Sequence, residues 1–292
     1  MLFVLRWLSR RSLRFLHGLG AVLGWAVYAL SPSYRRRHRA NAALAGIDTP
    51  QRRQAVAEAG KMVLESLRLW LRPAHVPIAD PVHWQGAQII EECLAGGRGL
   101  LFLTPHLGSF EITAQAYAQR FGARQPITVM YRPARHRLLR ELEEAARDRP
   151  ALQAVPATLG GIRQMLRALK RGQAVGLLPD QAPPQGLGVW ADFFGRPAYT
   201  MTLAARLAQQ SGAPIVLAWC ERLPHGSGFH LRLSRLAEPL PTAAEDAEAL
   251  QQAQAAVINR AMEQLIRQCP QQYLWGYNRY KSPRGQPPAH TA

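Results

Sequence analysis

From residue 82 onward, short apolar runs alternate with amphipathic segments, and this rhythm constrains the fold more than any other feature of the chain. The runs at 82–85, 99–104, 127–131, 152–155 and 174–178 have the length and content of buried strands. The segments 87–95, 109–121, 137–147 and 161–170 space their apolar residues as helices do. Such alternation specifies an α/β fold, a sheet with crossover helices. The rhythm then changes. Residues 215–221 and 229–236 are joined by Pro224-His225-Gly226-Ser227-Gly228, a loop suited to an antiparallel hairpin, so a mixed central sheet flanked by helices is expected. A helix over 242–268 leads to the aromatic segment Tyr273-Leu274-Trp275-Gly276-Tyr277, and the Pro-rich end from Ser282 reads as frayed.

The amino-terminal region has a different character. Residues 1–47 hold eight arginines and no acid: Arg6, Arg10, Arg11 and Arg14 precede, and Arg35, Arg36, Arg37 and Arg39 follow, an uncharged stretch at 15–34. As a helix its 20 residues cover about 30 Å, the thickness of a bilayer's hydrocarbon core. Pro32 and His17 shorten the apolar portion, and the equal flanks give the positive-inside rule nothing to act on, so spanning and interfacial placement both stay open. The expectation is a membrane-anchoring helix, with basic flanks on anionic headgroups and Trp7, Trp25 and Tyr28 at the interface. Gly20-x-x-x-Gly24 suits close helix contact. Asp48 or Thr49 before Pro50 starts a further helix over 51–71, which Pro73 stops.

Across the whole chain 36 Lys and Arg stand against 19 Asp and Glu, a formal charge of +17, so the expected partners are anionic: nucleic acid, a phospholipid surface or an acidic protein. The arginines gather around the apolar stretch and no nucleic-acid-binding module is recognisable, which disfavours nucleic acid. Cys93, Cys220 and Cys269 are widely separated and form no Cys-x-x-Cys pair, which argues against a zinc site and a disulfide framework. No metal is expected.

Chemistry concentrates in His106-Leu107-Gly108-Ser109-Phe110-Glu111, directly after the run at 99–104. A neutral imidazole, of ordinary pKa about 6.5, takes a proton from an alcohol near neutral pH, and such general-base assistance is worth roughly 10²–10⁴ in rate. Glu111 is the candidate that fixes its tautomer and stabilises the imidazolium. Five helical steps rotate a side chain by roughly 140° relative to the first, so the two cannot share one helix face. If they cooperate, His106 lies on the strand-to-helix turn, folded back over the first helical turn, with Ser109 as N-cap. Other polar residues close neighbouring strands: Arg132 in Tyr131-Arg132-Pro133, suited to holding phosphate or carboxylate bidentately, and Asp180 in Pro179-Asp180-Gln181. If their strands run parallel, His106, Arg132 and Asp180 meet in the crevice at the strand ends. Residues 182–192 read as a long loop before a helix, followed by Phe193-Phe194-Gly195-Arg196-Pro197.

Together these segments resemble the lipid A biosynthesis acyltransferases, the lauroyl and myristoyl transferase group. The ordered matches are His106-x-x-x-x-Glu111, Tyr131-Arg132-Pro133, Leu178-Pro179-Asp180-Gln181, Phe193-Phe194-Gly195-Arg196-Pro197-Ala198 and Gln272-Tyr273-Leu274-Trp275, over roughly residues 10–283. The resemblance implies a glycerol-phosphate-acyltransferase-like fold at the cytoplasmic face of a bacterial inner membrane. It implies transfer of a fatty acyl chain from acyl carrier protein, as co-substrate and with no other cofactor, to a hydroxyl of an anionic lipid A precursor. Carried over, His106 is the base, Glu111 its orienter, Arg132 a contact to phosphate or developing negative charge, Asp180 a structural or substrate-positioning acid and Arg196 a headgroup contact. The residues around the pair depart from the Asn-His-x-Gly-Asn-Trp-Glu of many relatives, so acceptor and chain-length preference do not carry over.

On this reading the chain comprises a basic-flanked anchor (1–40), a helical collar (41–78), an acyltransferase domain (79–281) and a flexible tail (282–292). Acylation of a different glycolipid or a lysophospholipid is the nearest alternative. A serine hydrolase lacks its Gly-x-Ser-x-Gly elbow. A basic nucleic-acid-binding protein is the remote third.

Overall fold

The computed structural model describes residues 2–131 and 149–283. The helix expected at 137–147, Arg132 and the end of the tail lie outside the described residues. In chain order the strands are β1 (Val82–Gln85), β2 (Leu100–Leu103), β3 (Ile127–Tyr131), β4 (Leu152–Pro156), β5 (Ala174–Leu177), β6 (Gly188–Phe193), β7 (Arg196–Met201), β8 (Ile215–Arg222) and β9 (Phe229–Arg235). Seven of them form one sheet in the order β1-β9-β8-β2-β5-β3-β4. Neighbours run parallel except at β8–β9, the hairpin read from the Pro-Gly-rich loop, so the sheet is mixed as expected.

The helices are α1 (Leu2–Ser9), α2 (Leu13–Leu30), α3 (Pro32–Leu44), α4 (Thr49–Trp70), α5 (Gln88–Ala95), α6 (Phe110–Phe121), α7 (Leu159–Lys170), α8 (Leu203–Ser211) and α9 (Ala247–Gln268). Every residue of β2 is buried, as a central parallel strand covered on both faces requires. Its side chains alternate between two cores. Leu101 and Leu103 join a cluster with Met165 of α7, Ala204 of α8 and Ile258 of α9. Leu100 and Phe102 join Ile90 of α5 and Tyr117 and Phe121 of α6. The two-residue strand period thus builds a three-layer sandwich around one strand.

One expectation is corrected. Residues 188–193 are strand β6, which pairs antiparallel with β7 through Phe194 and Gly195 and leaves no long loop before a helix. Both turn residues have positive φ, 50° and 72°, the geometry of a two-residue type I′ hairpin turn. Phenylalanine seldom takes that conformation, so the turn carries no Asn-Gly signature. The alternation was nevertheless present: Val189, Ala191 and Phe193 are buried, and their neighbours less so.

The uncharged stretch forms α2, and α2 lies along α4. The crossing depends on glycine at both sides: a Cβ on Gly60 would fall 1.9 Å from the Gly20 carbonyl oxygen. The Gly20-x-x-x-Gly24 spacing therefore serves an intramolecular helix pair. The outer face of α2 leaves Val22, Trp25, Val27 and Leu30 exposed, and α1 adds Phe3, Val4 and Trp7. Leu13–Leu30 is long and apolar enough to cross a membrane.

Candidate active site

Parallel register makes the site. Leu103 of β2 stands opposite Leu177 of β5, so His106 and Asp180, each three residues further on, leave the same edge of the sheet together. The last ladder bond runs from Thr104 N–H to the Leu177 carbonyl (3.0 Å), and the chain then turns off at Pro105. His106 N–H donates to Asp180 Oδ2 at 2.9 Å, and His106 Nδ1 lies 2.7 Å from Asp180 Oδ1. One carboxylate therefore fixes both backbone and ring of the histidine.

The following residues are stitched between β8 and the segment after α9. Gly108 N–H donates to the Gln272 carbonyl (3.0 Å), Ser109 N–H to the Cys220 carbonyl (2.7 Å), and Leu274 N–H to the His106 carbonyl (3.2 Å). Gly108 has φ +61°, and a Cβ there would lie 2.1 Å from the Cys220 oxygen, so only glycine fits. Ser109 stands at the N-cap of α6, but its hydroxyl caps nothing. It donates instead to Glu65 Oε1 at 2.6 Å.

Asp180 is sealed, its side chain 1% exposed, while the His106 side chain is 18% exposed. Burial alone would raise the Asp180 carboxyl. The imidazole's charge, the two hydrogen bonds from His106 and one from Tyr273 hold it below the usual carboxylate value. Burial and the adjacent Asp180 push the Tyr273 phenol well above its ordinary value, so it remains a donor. With a carboxylate accepting at Nδ1, the ring proton belongs there and the lone pair falls on Nε2. The Gln181 amide nitrogen approaches that lone pair at 3.0 Å. Phe110 packs against the ring, centroids 4.9 Å apart.

Glu111 is not the group on Nδ1. It lies on the first turn of α6, where its Oε2 accepts the indole N–H of Trp70 at 3.3 Å. The imidazole turns towards β5 because the neighbouring strand end delivers a carboxylate at hydrogen-bond distance to both its nitrogen and its backbone. Arg196, at the β6–β7 turn, is exposed and stacks over Tyr280, 5.0 Å from the ring centroid. The structure thus brings together His106 and Asp180 of the expected set and places Arg196 on the hairpin.

A second polar cluster lies beneath the same loop. Arg222, at the end of β8, donates from Nε and Nη2 to the two oxygens of Glu65 (2.7 and 2.5 Å) and from Nη1 to Glu58 Oε2 (2.7 Å). His17 Nε2 lies 3.0 Å from Glu65 Oε2, and Lys61 Nζ reaches Glu58 Oε1 at 2.5 Å. Burial alone would raise Glu65, but the charge and hydrogen bonds of Arg222, with those of His17 and Ser109, bring it down to about 2. Arg222 is raised above its ordinary value by the two glutamates against the effect of burial. Gln181, Trp70, Glu65 and Arg222 all escaped the sequence reading as site residues. One signal existed: Glu58 and Glu65 stand two turns apart on the apolar face of α4.

A mixed α/β sheet presenting a carboxylate-held histidine at the end of a parallel strand defines a scaffold for general-base chemistry. Residues 1–282 match the model of the bacterial lipid A biosynthesis acyltransferases, and the chain belongs to that family. It is 29% identical over 232 residues to the lipid A biosynthesis lauroyltransferase of Escherichia coli (strain K12), covering 78% of this chain and 71% of the relative. It is 27% identical over 201 residues to the palmitoleoyltransferase of the same organism, covering 68% and 61%. Lipid A biosynthesis acyltransferase 2 of Shigella flexneri matches at 24% over 262 residues, 87% of this chain and 80% of the relative. The chain thus spans about three fifths of the palmitoleoyltransferase's length.

Proposed function

We propose that this acyltransferase moves a fatty acyl chain from the thioester of acyl carrier protein to a hydroxyl of a lipid A precursor. The observation that carries the reading is the His106 imidazole, fixed at Nδ1 by Asp180 so that Nε2 is the basic nitrogen. In the reaction the acceptor hydroxyl takes the place of the Gln181 amide at Nε2. Its oxygen attacks the thioester carbonyl as its proton passes to Nε2. The C–O bond forms, the C–S bond breaks, and the imidazolium returns the proton to the departing thiolate. Asp180 stabilises the imidazolium throughout. Arg132 contacts the acceptor's phosphate or the developing negative charge. No covalent enzyme intermediate is required.

The apolar outer faces of α1 and α2, set among arginines, support attachment to a membrane, and on this reading the catalytic sheet lies at the cytoplasmic face of the inner membrane. There the basic surface concentrates both an anionic lipid and an acidic carrier protein. Relatives named for lauroyl and palmitoleoyl transfer match almost equally, at 29% and 27%, so identity does not select a chain length. The test is mass spectrometry of lipid A from cells lacking and then regaining the protein, alongside assays of carrier-protein and coenzyme A thioesters on purified acceptors. An added acyl chain that depends on His106 supports the reading, and exclusive acylation of a glycerol phosphate overturns it.

A further inference from the structure

A cleft of about 520 Å³ opens between α1 and the segment that follows α4, and His106 is not among its lining residues. Arg6, Arg10, Arg68 and Arg72 line it, with Asp80 the one carboxylate among its lining residues. Asp80 is already taken: Arg68 Nε and Nη2 hold its two oxygens at 2.7 and 3.2 Å. Among the described residues no carboxylate pairs with Arg6, Arg10 or Arg72. Arg72 donates from Nη2 to the neutral Gln115 Oε1 at 2.9 Å, and its buried Nε has no hydrogen-bond partner among the described residues. Burial first, then the charge of nearby Arg149, lowers Arg72 to about 10 against the opposing charge of Asp80.

The surroundings specify the anion's carrier. Leu69, Leu71, Val76 and Ile78 give the cleft apolar walls, and α1 beside it exposes Phe3, Val4 and Trp7. The cleft thus sets guanidinium groups beside exposed apolar surface, as an amphiphilic anion requires. The end of α4 and the segment after it are also tied to α6, the helix that follows His106: Trp70 donates to Glu111 and Arg72 to Gln115.

We infer that this arginine cleft is a binding site for the phosphate of a lipid headgroup, through which the acceptor is held while its hydroxyl reaches His106. The inference rests on the proposed function for the identity of the acceptor but not for the binding itself. Guanidinium forks match phosphate oxygens bidentately, and partial burial strengthens each contact relative to an exposed one.

Binding of the full-length protein is measured against phosphatidylcholine vesicles doped with either phosphatidic acid or phosphatidylglycerol, the latter adjusted to equal surface charge. The Arg6→Gln/Arg10→Gln protein is compared with Arg53→Gln/Arg163→Gln, which removes the same charge from exposed positions outside the cleft. The expected result is a loss of about tenfold or more in phosphatidic acid affinity for the cleft variant alone. Inorganic phosphate at millimolar concentration should leave binding intact, since it lacks the apolar half of the ligand. Equal losses in the two variants, or on the two anionic lipids, assign the effect to diffuse surface charge and overturn the site. Full competition by inorganic phosphate overturns the lipid as source. In acyl-transfer assays the cleft variant should raise KM for a phosphorylated acceptor about tenfold and leave KM for its dephosphorylated form unmoved. A rise in KM for the carrier-protein thioester instead makes the cleft a protein-docking surface and overturns the inference. Should the unmodified protein transfer no acyl chain at all, the proposed function fails while the vesicle comparison still decides the cleft.

Discussion

Two buried carboxylates lie under one loop, and their partners separate their roles. Asp180 faces an imidazole that is 18% exposed and can gain or lose a proton. Glu65 faces Arg222, a permanent cation whose side chain is 2% exposed. The first pair can change its charge when substrate arrives; the second holds a fixed charge that water cannot reach. Chemistry therefore belongs to the Asp180 pair, and rigidity of the loop that carries it to the Glu65 pair.

The sharpest way to break this comparison is through the first pair. His106→Ala should lower kcat by roughly 10²–10⁴, with vesicle binding and circular dichroism unchanged. Asp180→Asn tests the orienter. The His106 backbone N–H requires an acceptor, so the Asn oxygen faces it and the amide nitrogen faces Nδ1. That arrangement strips the proton from Nδ1, places it on Nε2 and disables the base; a kcat loss of similar size, about 10²–10⁴, is expected. Near-normal turnover of Asp180→Asn, with full loss in Glu111→Gln, would return the orienting role to Glu111.

Next in size is the second pair. Arg222→Met leaves two acids buried without their shared cation and should destabilise the fold by about 3–5 kcal/mol in denaturant titration. Glu65→Leu combined with it should recover part of that loss. Where the variant is still folded, it should retain more turnover than His106→Ala; equal inactivation would place Arg222 in the chemistry.

The two pairs also differ in how much of them the sequence revealed. β1 and β3 have the expected limits, Val82–Gln85 and Ile127–Tyr131, because strand burial is written in local apolar content. The meeting of His106 and Asp180 was expected if their strands ran parallel, since strand ends carry ligands in such sheets. Arg222 and Glu65 are 157 residues apart and belong to a strand and an outlying helix, so no local pattern joins them. Their pairing is a tertiary contact between the end of β8 and α4. Glu111 is close to His106 in sequence, but the β2–β5 register brings Asp180 to the imidazole instead.

Acid should unfold the protein through both carboxylates. Glu65 is lowered to about 2, and Asp180 is shifted in the same direction. For a depressed carboxyl the stabilisation is fully present above its unfolded value and is lost as pH falls through its folded value. Thermal stability should therefore drop steadily from about pH 5 towards about pH 2. Glu65→Gln should flatten that slope more than Glu111→Gln; equal slopes would mean that the Arg222 cluster does not govern acid unfolding.

Ser109→Ala should have the smallest effect and is the one change that touches both regions. The hydroxyl gives Glu65 Oε1 a hydrogen bond of 2.6 Å, while the same residue's N–H holds the loop to Cys220. Removing the hydroxyl deletes one of several donors to a carboxylate that keeps Arg222 and His17, so a stability loss of about 1–2 kcal/mol is expected. The backbone bond survives, and Gly108 and His106 stay tied to Gln272 and Leu274. If the buried cluster only holds the loop, kcat should fall by less than about tenfold and its pH profile should keep its midpoint. A moved midpoint would mean that Glu65 reaches the imidazole electrically, and that the fixed charge beneath the loop tunes the base as well as supporting it.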